Sequence, residues 1–174
     1  MQNQTSKSRT AFNITVWILT LLWLCVIFRF SAMPAEESDE QSSFVISVLN
    51  SLFNLDLSSG EIIQKFAIAQ SIDFLVRKTA HFTEYAILGV LSFLSLSELG
   101  RRQARRRMFQ FSASLIFCLL YAASDETHQL FVSGRSAAVR DVLIDFLGSV
   151  AGVAIILLIT LLKDKRKRRV AKAC

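Results

Sequence analysis

The sequence predicts an all-α fold: a polytopic membrane protein built as a four-helix transmembrane bundle, with an extracytoplasmic excursion of short amphipathic helices between spans 1 and 2. Three observations carry this expectation. Hydrophobic residues make up 52% of the 174 positions, mean hydropathy is +0.43 and there is one proline, a balance foreign to soluble domains. The apolar residues gather into four runs, each close to the roughly 20 residues that a helix rising about 1.5 Å per residue needs to cross the hydrocarbon. Lysine and arginine collect in three blocks beside those runs: Lys7 with Arg9, Arg101 to Arg107, and Lys163 to Lys172.

The net charge of +6 raises nucleic acid as a partner. The placement of the charge excludes it: every basic block adjoins an apolar run, and none carries the interleaved aromatics of a base-stacking surface. Cys25 and Cys118 lie within apolar runs and Cys174 ends the chain. That spacing suggests neither a disulfide framework nor a zinc knuckle, so the first two read as thiols within the membrane.

Span 1, residues 11–30, follows a short basic segment. Its length fits a spanning helix better than a cleaved signal, since Met33 and Ala35 would make a weak cleavage site. Leu22-Trp23-Leu24-Cys25 also lacks the small residue of a lipobox, and Arg29 is placed to snorkel to the headgroups. The excursion, residues 31–76, carries Glu36, Glu37, Asp39, Glu40, Asp56, Glu61 and Asp73 against a lone Lys65. Phe44, Val45, Val48, Leu49, Leu52 and Phe53 recur at helical spacing, and Ser58-Ser59-Gly60-Glu61 is a capping-box pattern that would open a second interfacial helix with Ile62, Ile63 and Phe66.

Spans 2, 3 and 4 are expected at about residues 79–98, 108–130 and 141–162, with a basic tail at 163–174. The positive-inside rule places both termini and the Arg101 to Arg107 loop in the cytoplasm, and the excursion and the Phe131 to Arg140 loop outside. Counted from those cytoplasmic residues, His81, Asp125 and Asp145 each lie about 18 to 20 positions away, or roughly 27 to 30 Å. Three helices thus bring polar residues to one level, the outer rim of the bilayer.

The faces agree. Asp141, Asp145, Gly148 and Gly152 share a side of span 4, with Gly148 to Gly152 forming a GxxxG. Ser114, Cys118, Tyr121, Asp125 and His128 form a stripe on span 3, and His81, Tyr85, Gly89 and Ser92 another on span 2. A polar pocket between spans 2, 3 and 4, open outward, follows. Its candidate catalytic residues are His81, Glu84, Asp125, Glu126 and His128; its candidate ligand-binding residues are Lys78, Tyr85, Gln129, Arg135, Asp141 and Asp145.

Several blocks resemble the VanZ-like family of bacterial membrane proteins. They are Phe30-Ser31-Ala32-Met33-Pro34 with the serine-rich stretch after it, Arg77-Lys78-Thr79-Ala80-His81-Phe82-Thr83-Glu84-Tyr85, Asp125-Glu126-Thr127-His128-Gln129, Gly134-Arg135, and Asp141 with Asp145 and Gly148. The similarity covers most of the chain, although Ser133 stands where such sequences often have proline. The family is named for a member that lowers susceptibility to the lipid-bearing glycopeptide teicoplanin. The resemblance therefore implies a place in the bacterial plasma membrane and a role in the cell envelope, and no known reaction.

Chemically, the pocket admits three readings. As a binding site, Arg77, Lys78, Arg135 and Arg140 would clamp the phosphate of an amphiphile, either a lipid-linked wall precursor or a lipoglycopeptide. As a hydrolase or transferase, His81 or His128 would act as general base beside Asp125 or Glu126, with no evident nucleophile among Ser124, Ser133 and Ser136. No cofactor is fixed by the sequence, but a divalent metal is open, because His81 with Glu84 and Asp125 with His128 are i,i+3 pairs of mixed imidazole and carboxylate ligands. As a structural network, Arg135 would pair with Asp141 or Asp145, and His81 with Glu126.

Overall fold

The computed structural model describes residues 2–53, 62–96 and 104–173. These form five helices, α1 (Gln2–Ser31), α2 (Ala35–Phe53), α3 (Ile62–Ser95), α4 (Ala104–Gln129) and α5 (Val139–Ala173), with no strand among the described residues.

Each boundary has a local cause. Pro34 pushes the residue before it out of the helical region, so α1 stops at Ser31 and α2 starts afresh at Ala35. Glu36 and Glu37 then occupy the first turn of α2, where the helix dipole favours negative charge. The link from α4 to α5 turns at Gly134, whose φ of 73° suits a residue without a Cβ. The capping pattern at Ser58 to Glu61 lies outside the described residues. Beyond it, Ile62, Ile63 and Phe66 belong to the same continuous helix as His81, rather than to a separate interfacial helix. Neither glycine nor proline interrupts the sequence before Gly89, and helix propagation therefore costs little.

The third helix is central and touches all four others, most extensively α5. That contact depends on absent side chains. A Cβ built at Gly148 would overlap the carbonyl oxygen of Phe82, one at Gly152 that of Ala86, and one at Gly89 that of Ser149. With backbone against backbone, dispersion contacts replace the hydrophobic drive that lipid cannot supply. Polar side chains add further ties: Thr20 and Ser95 share a 2.8 Å hydrogen bond, and Gln110 Nε2 donates to Phe93 O at 2.6 Å. At one end of the bundle Arg107 pairs with Asp164.

The outward faces are apolar. Leu21, Leu22 and Phe28 on α1, Ile116 and Leu120 on α4, and Leu158 and Leu162 on α5 are all exposed. Water does not tolerate so much contiguous apolar surface, whereas lipid does. Among the described residues, Thr10–Ser31, Arg107–Gln129 and Val139–Ala171 are long and apolar enough to cross a membrane. This is a membrane protein. Cys25 sits on the exposed face of α1, while Cys118 is buried in the core beside Ile27, Tyr85, Leu88 and Ala122.

Candidate functional site

The polar stripes expected on three helices do converge. On α3, Tyr85 is buried completely and Ser92 nearly so; on α4, Ser114 and Cys118 are buried with Asp125; on α5, Asp145 and Ser149 are buried above Gly152. Helical spacing is the cause, since residues three and four apart fall on one face. The glycine contacts then fix the depth, because Gly148 seats α5 against Phe82, next to His81.

The centre of the site is formed by His81, Asp125 and Asp145. One potential ligand atom from each lies within 4.8 Å of the other two. Nδ1 of His81 is 3.8 Å from Oδ1 of Asp145 and 4.0 Å from Oε2 of Glu84. Asp145 is 1% exposed and Asp125 3%. The hydroxyls of Ser31 and Tyr85 flank Asp125, yet neither of its oxygens meets a donor in hydrogen-bonding geometry. Oδ2 of Asp145, Nδ1 of His81 and the Tyr85 hydroxyl are likewise buried without such a partner. Leaving a buried polar group unmet costs about 1–3 kcal/mol, and more for a charge.

Around this centre the remaining candidates have other partners. Lys78 Nζ lies 2.6 Å from Oδ2 of Asp141, and Arg140 Nε 3.8 Å from its Oδ1. Arg135 donates to the Met33 carbonyl at 2.9 Å and to that of Phe30 at 3.5 Å, which ties the α4–α5 loop to the end of α1. The expected pairing of Arg135 with Asp141 or Asp145 is thus replaced, in the ion pair at Asp141, by Lys78. Glu126, expected opposite His81, accepts from the Ala138 N–H at 3.1 Å. Gln129 Nε2 donates to Ser31 Oγ at 3.0 Å, and the His128 ring stacks on Phe28 with centroids 4.7 Å apart. His128 and Glu84 stand outside the three-atom convergence.

Asp145 and His81 come together although their pairing carries no sequence mark, and α1 enters the site through residues with no evident role in the sequence. Trp23 Nε1 donates to the Glu84 carbonyl at 2.9 Å, and the Tyr121 hydroxyl to that of Leu24 at 2.7 Å. Only Ser31, within the Phe30 to Pro34 block, had a signal that could have drawn attention to it.

Two clefts reach His81 from the surface. The larger, about 250 Å³, is bounded by Arg77, Lys78, Arg135 and Arg140 with Asp141 as its one carboxylate. The smaller, about 130 Å³, has an apolar wall of Phe30, Val45, Val76 and Ala80. Both Lys78 and Arg140 also lie over the Phe74 ring, at 5.5 and 5.0 Å from its centroid, where cation–π attraction holds them at the rim.

The VanZ/LLP1 family model matches residues 16–160. The chain belongs to the VanZ/LLP1 family. The matched region of this VanZ-family chain contains the candidate site residues from Lys78 to Asp145 as well as residues 16–31 of α1. No curated protein and no solved structure matches the chain significantly.

Proposed function

We propose that this VanZ-family protein is a four-span protein of the bacterial plasma membrane that holds the anionic headgroup of an amphiphilic envelope molecule at the outer leaflet. The observation that carries the reading is the larger cleft, where four basic side chains face one carboxylate. Arginine and lysine at headgroup depth select phosphate, and the arginine fork adds geometric specificity. At about 250 Å³ the cleft is smaller than the roughly 300–1,000 Å³ of sites that enclose a drug-sized ligand. It suits a headgroup whose tail stays on the apolar outer surface of the helices. In this arrangement residues 31–76 and the α4–α5 loop are extracytoplasmic, α3 is the second span, and both termini and the tail at 163–174 are cytoplasmic.

A lipid-linked wall precursor and a lipoglycopeptide share this chemistry, so the test takes both. The purified chain in phosphatidylcholine nanodiscs is titrated with undecaprenyl diphosphate, with teicoplanin and with a neutral isoprenoid alcohol. The expected result is saturable, salt-sensitive association with the first or second and none with the third. Removing one charge-assisted contact of about 1.5–3 kcal/mol should weaken binding at least tenfold in Arg135→Ala. Arg135→Lys, which keeps the charge, should lose less. Equal binding of the neutral alcohol would refute the proposal, and conversion of the ligand with time would move it to a membrane hydrolase or transferase.

A further inference from the structure

We propose that His81, Asp125 and Asp145 form a binding site for a first-row divalent cation, of the zinc or manganese type, at the floor of the basic cleft. The inference goes beyond the anion-binding reading and does not depend on it. It stands on the convergence of one imidazole and two carboxylates from three different helices, α3, α4 and α5, within 4.8 Å. Donor atoms held about 2.1 Å from a common tetrahedral ion are roughly 3.4 Å apart. The His81 to Asp145 separation of 3.8 Å is already close to this, and small side-chain rotations would complete the set.

The independent observation is the unmet capacity of these groups. Asp145 and Asp125 are almost fully buried, and both oxygens of Asp125, Oδ2 of Asp145 and Nδ1 of His81 lack partners in hydrogen-bonding geometry. Lys78 is engaged with Asp141, one turn away from Asp145 on α5. Burying two carboxylates a few ångströms apart is expensive unless a cation is shared between them. The donor chemistry selects the ion: neutral imidazole suits zinc and manganese better than magnesium or calcium, and the absence of thiolate from the set disfavours soft ions. Oε2 of Glu84 also lies 4.0 Å from Nδ1, so a third carboxylate borders the site on the same side of the imidazole. Three protein ligands leave coordination open, and since His81 borders both clefts the open side faces the surface where an anionic oxygen would arrive.

The test uses the full chain in detergent, purified on a tag free of histidine, stripped with chelator and reloaded with Zn²⁺ or Mn²⁺. Elemental analysis after desalting should find about one ion per chain in the wild type and in the surface control Glu36→Gln, and less than a tenth of that in Asp145→Asn. A second measurement holds if Asp145→Asn fails to fold. Pulsed electron paramagnetic resonance of the Mn²⁺-loaded chain should show nitrogen modulation from imidazole. With only two histidines in the sequence, His128→Ala should keep that signal and identify His81 as its source. A wild type that retains no ion after reloading, an Asp145→Asn variant that retains it, or bound Mn²⁺ without nitrogen modulation would each overturn the site.

Discussion

Replacing Gly148 by alanine tests the packing that brings α5 to α3 and, through it, the geometry of the site. A Cβ at this position would lie 3.0 Å from the Phe82 carbonyl carbon and 3.1 Å from its Cα, against 3.4 Å where ordinary contact begins, and would overlap the carbonyl oxygen more deeply. These are backbone atoms, so no rotamer change relieves the clash and the helices must part. Overpacking of this kind costs about 1–3 kcal/mol. Because the obstruction is rigid, the upper end applies. Alanine returns about 0.8–1.0 kcal/mol through its better helix propensity, which leaves a net loss of about 2 kcal/mol. Gly152→Ala meets the Ala86 carbonyl in the same way, and one displacement of α5 relieves both overlaps. The double variant should therefore lose clearly less than the sum of the two singles. Unfolding can be followed in mixed micelles by titration with SDS, using the fluorescence of the two tryptophans, of which Trp23 has its indole bonded across α1 and α3. Alanine variants as stable as the wild type would refute the close-contact account, and strictly additive losses would refute a shared displacement.

Two further outcomes follow from the same structure. Lys78→Met leaves Asp141 half-buried without its 2.6 Å partner and should destabilise more than the double variant Lys78→Met/Asp141→Leu, with a coupling of about 1 kcal/mol in a double-mutant cycle; losses in the two single variants that simply add in the double would show that the pair contributes nothing. For topology, in a background lacking the native cysteines, Ser136→Cys should react with a membrane-impermeant maleimide on intact cells, and Lys165→Cys only after permeabilisation. The reverse pattern would invert the proposed orientation.

The sequence made the interior faces legible because a helix repeats every 3.6 residues and glycine marks close approach. The stripes through Tyr85, through Asp125 and through Asp145 all face inward. It also suggested pairing Asp125 with His128 at i,i+3, and the two do share a helix side, but His128 is not among the groups that converge with Asp125 on His81 and Asp145. Asp125 turns toward α3 while the His128 ring settles on Phe28 of α1. The contribution of α1 was hidden for a different reason. Arg135, Trp23 and Tyr121 donate to carbonyls of Met33, Glu84 and Leu24, and a backbone acceptor leaves no trace in residue identity. Nor could hydropathy show that α3 runs unbroken from Ile62, because the pattern locates where lipid is expected and not where a helix ends.

The groups that hold the bundle together are largely not the groups that make the site. Helix contacts rest on Gly89, Gly148 and Gly152, on the Thr20–Ser95 bond, and on donors such as Gln110, Trp23 and Tyr121 that are satisfied by backbone. Asp125 and Asp145 are instead buried, and His81 partly so, with polar capacity to spare. Intramembrane polar contacts are worth only about 0.6–2 kcal/mol each even when made, so unmade ones weaken the helix assembly they sit in. A register-fixing network would show the opposite pattern, with its carboxylates and imidazole satisfied by one another. Unmet carboxylate oxygens and an imidazole nitrogen gathered beneath a cleft lined by basic side chains are the pattern expected of a bundle that keeps room for a ligand, and the glycine-packed helix contacts would offset their cost in its absence.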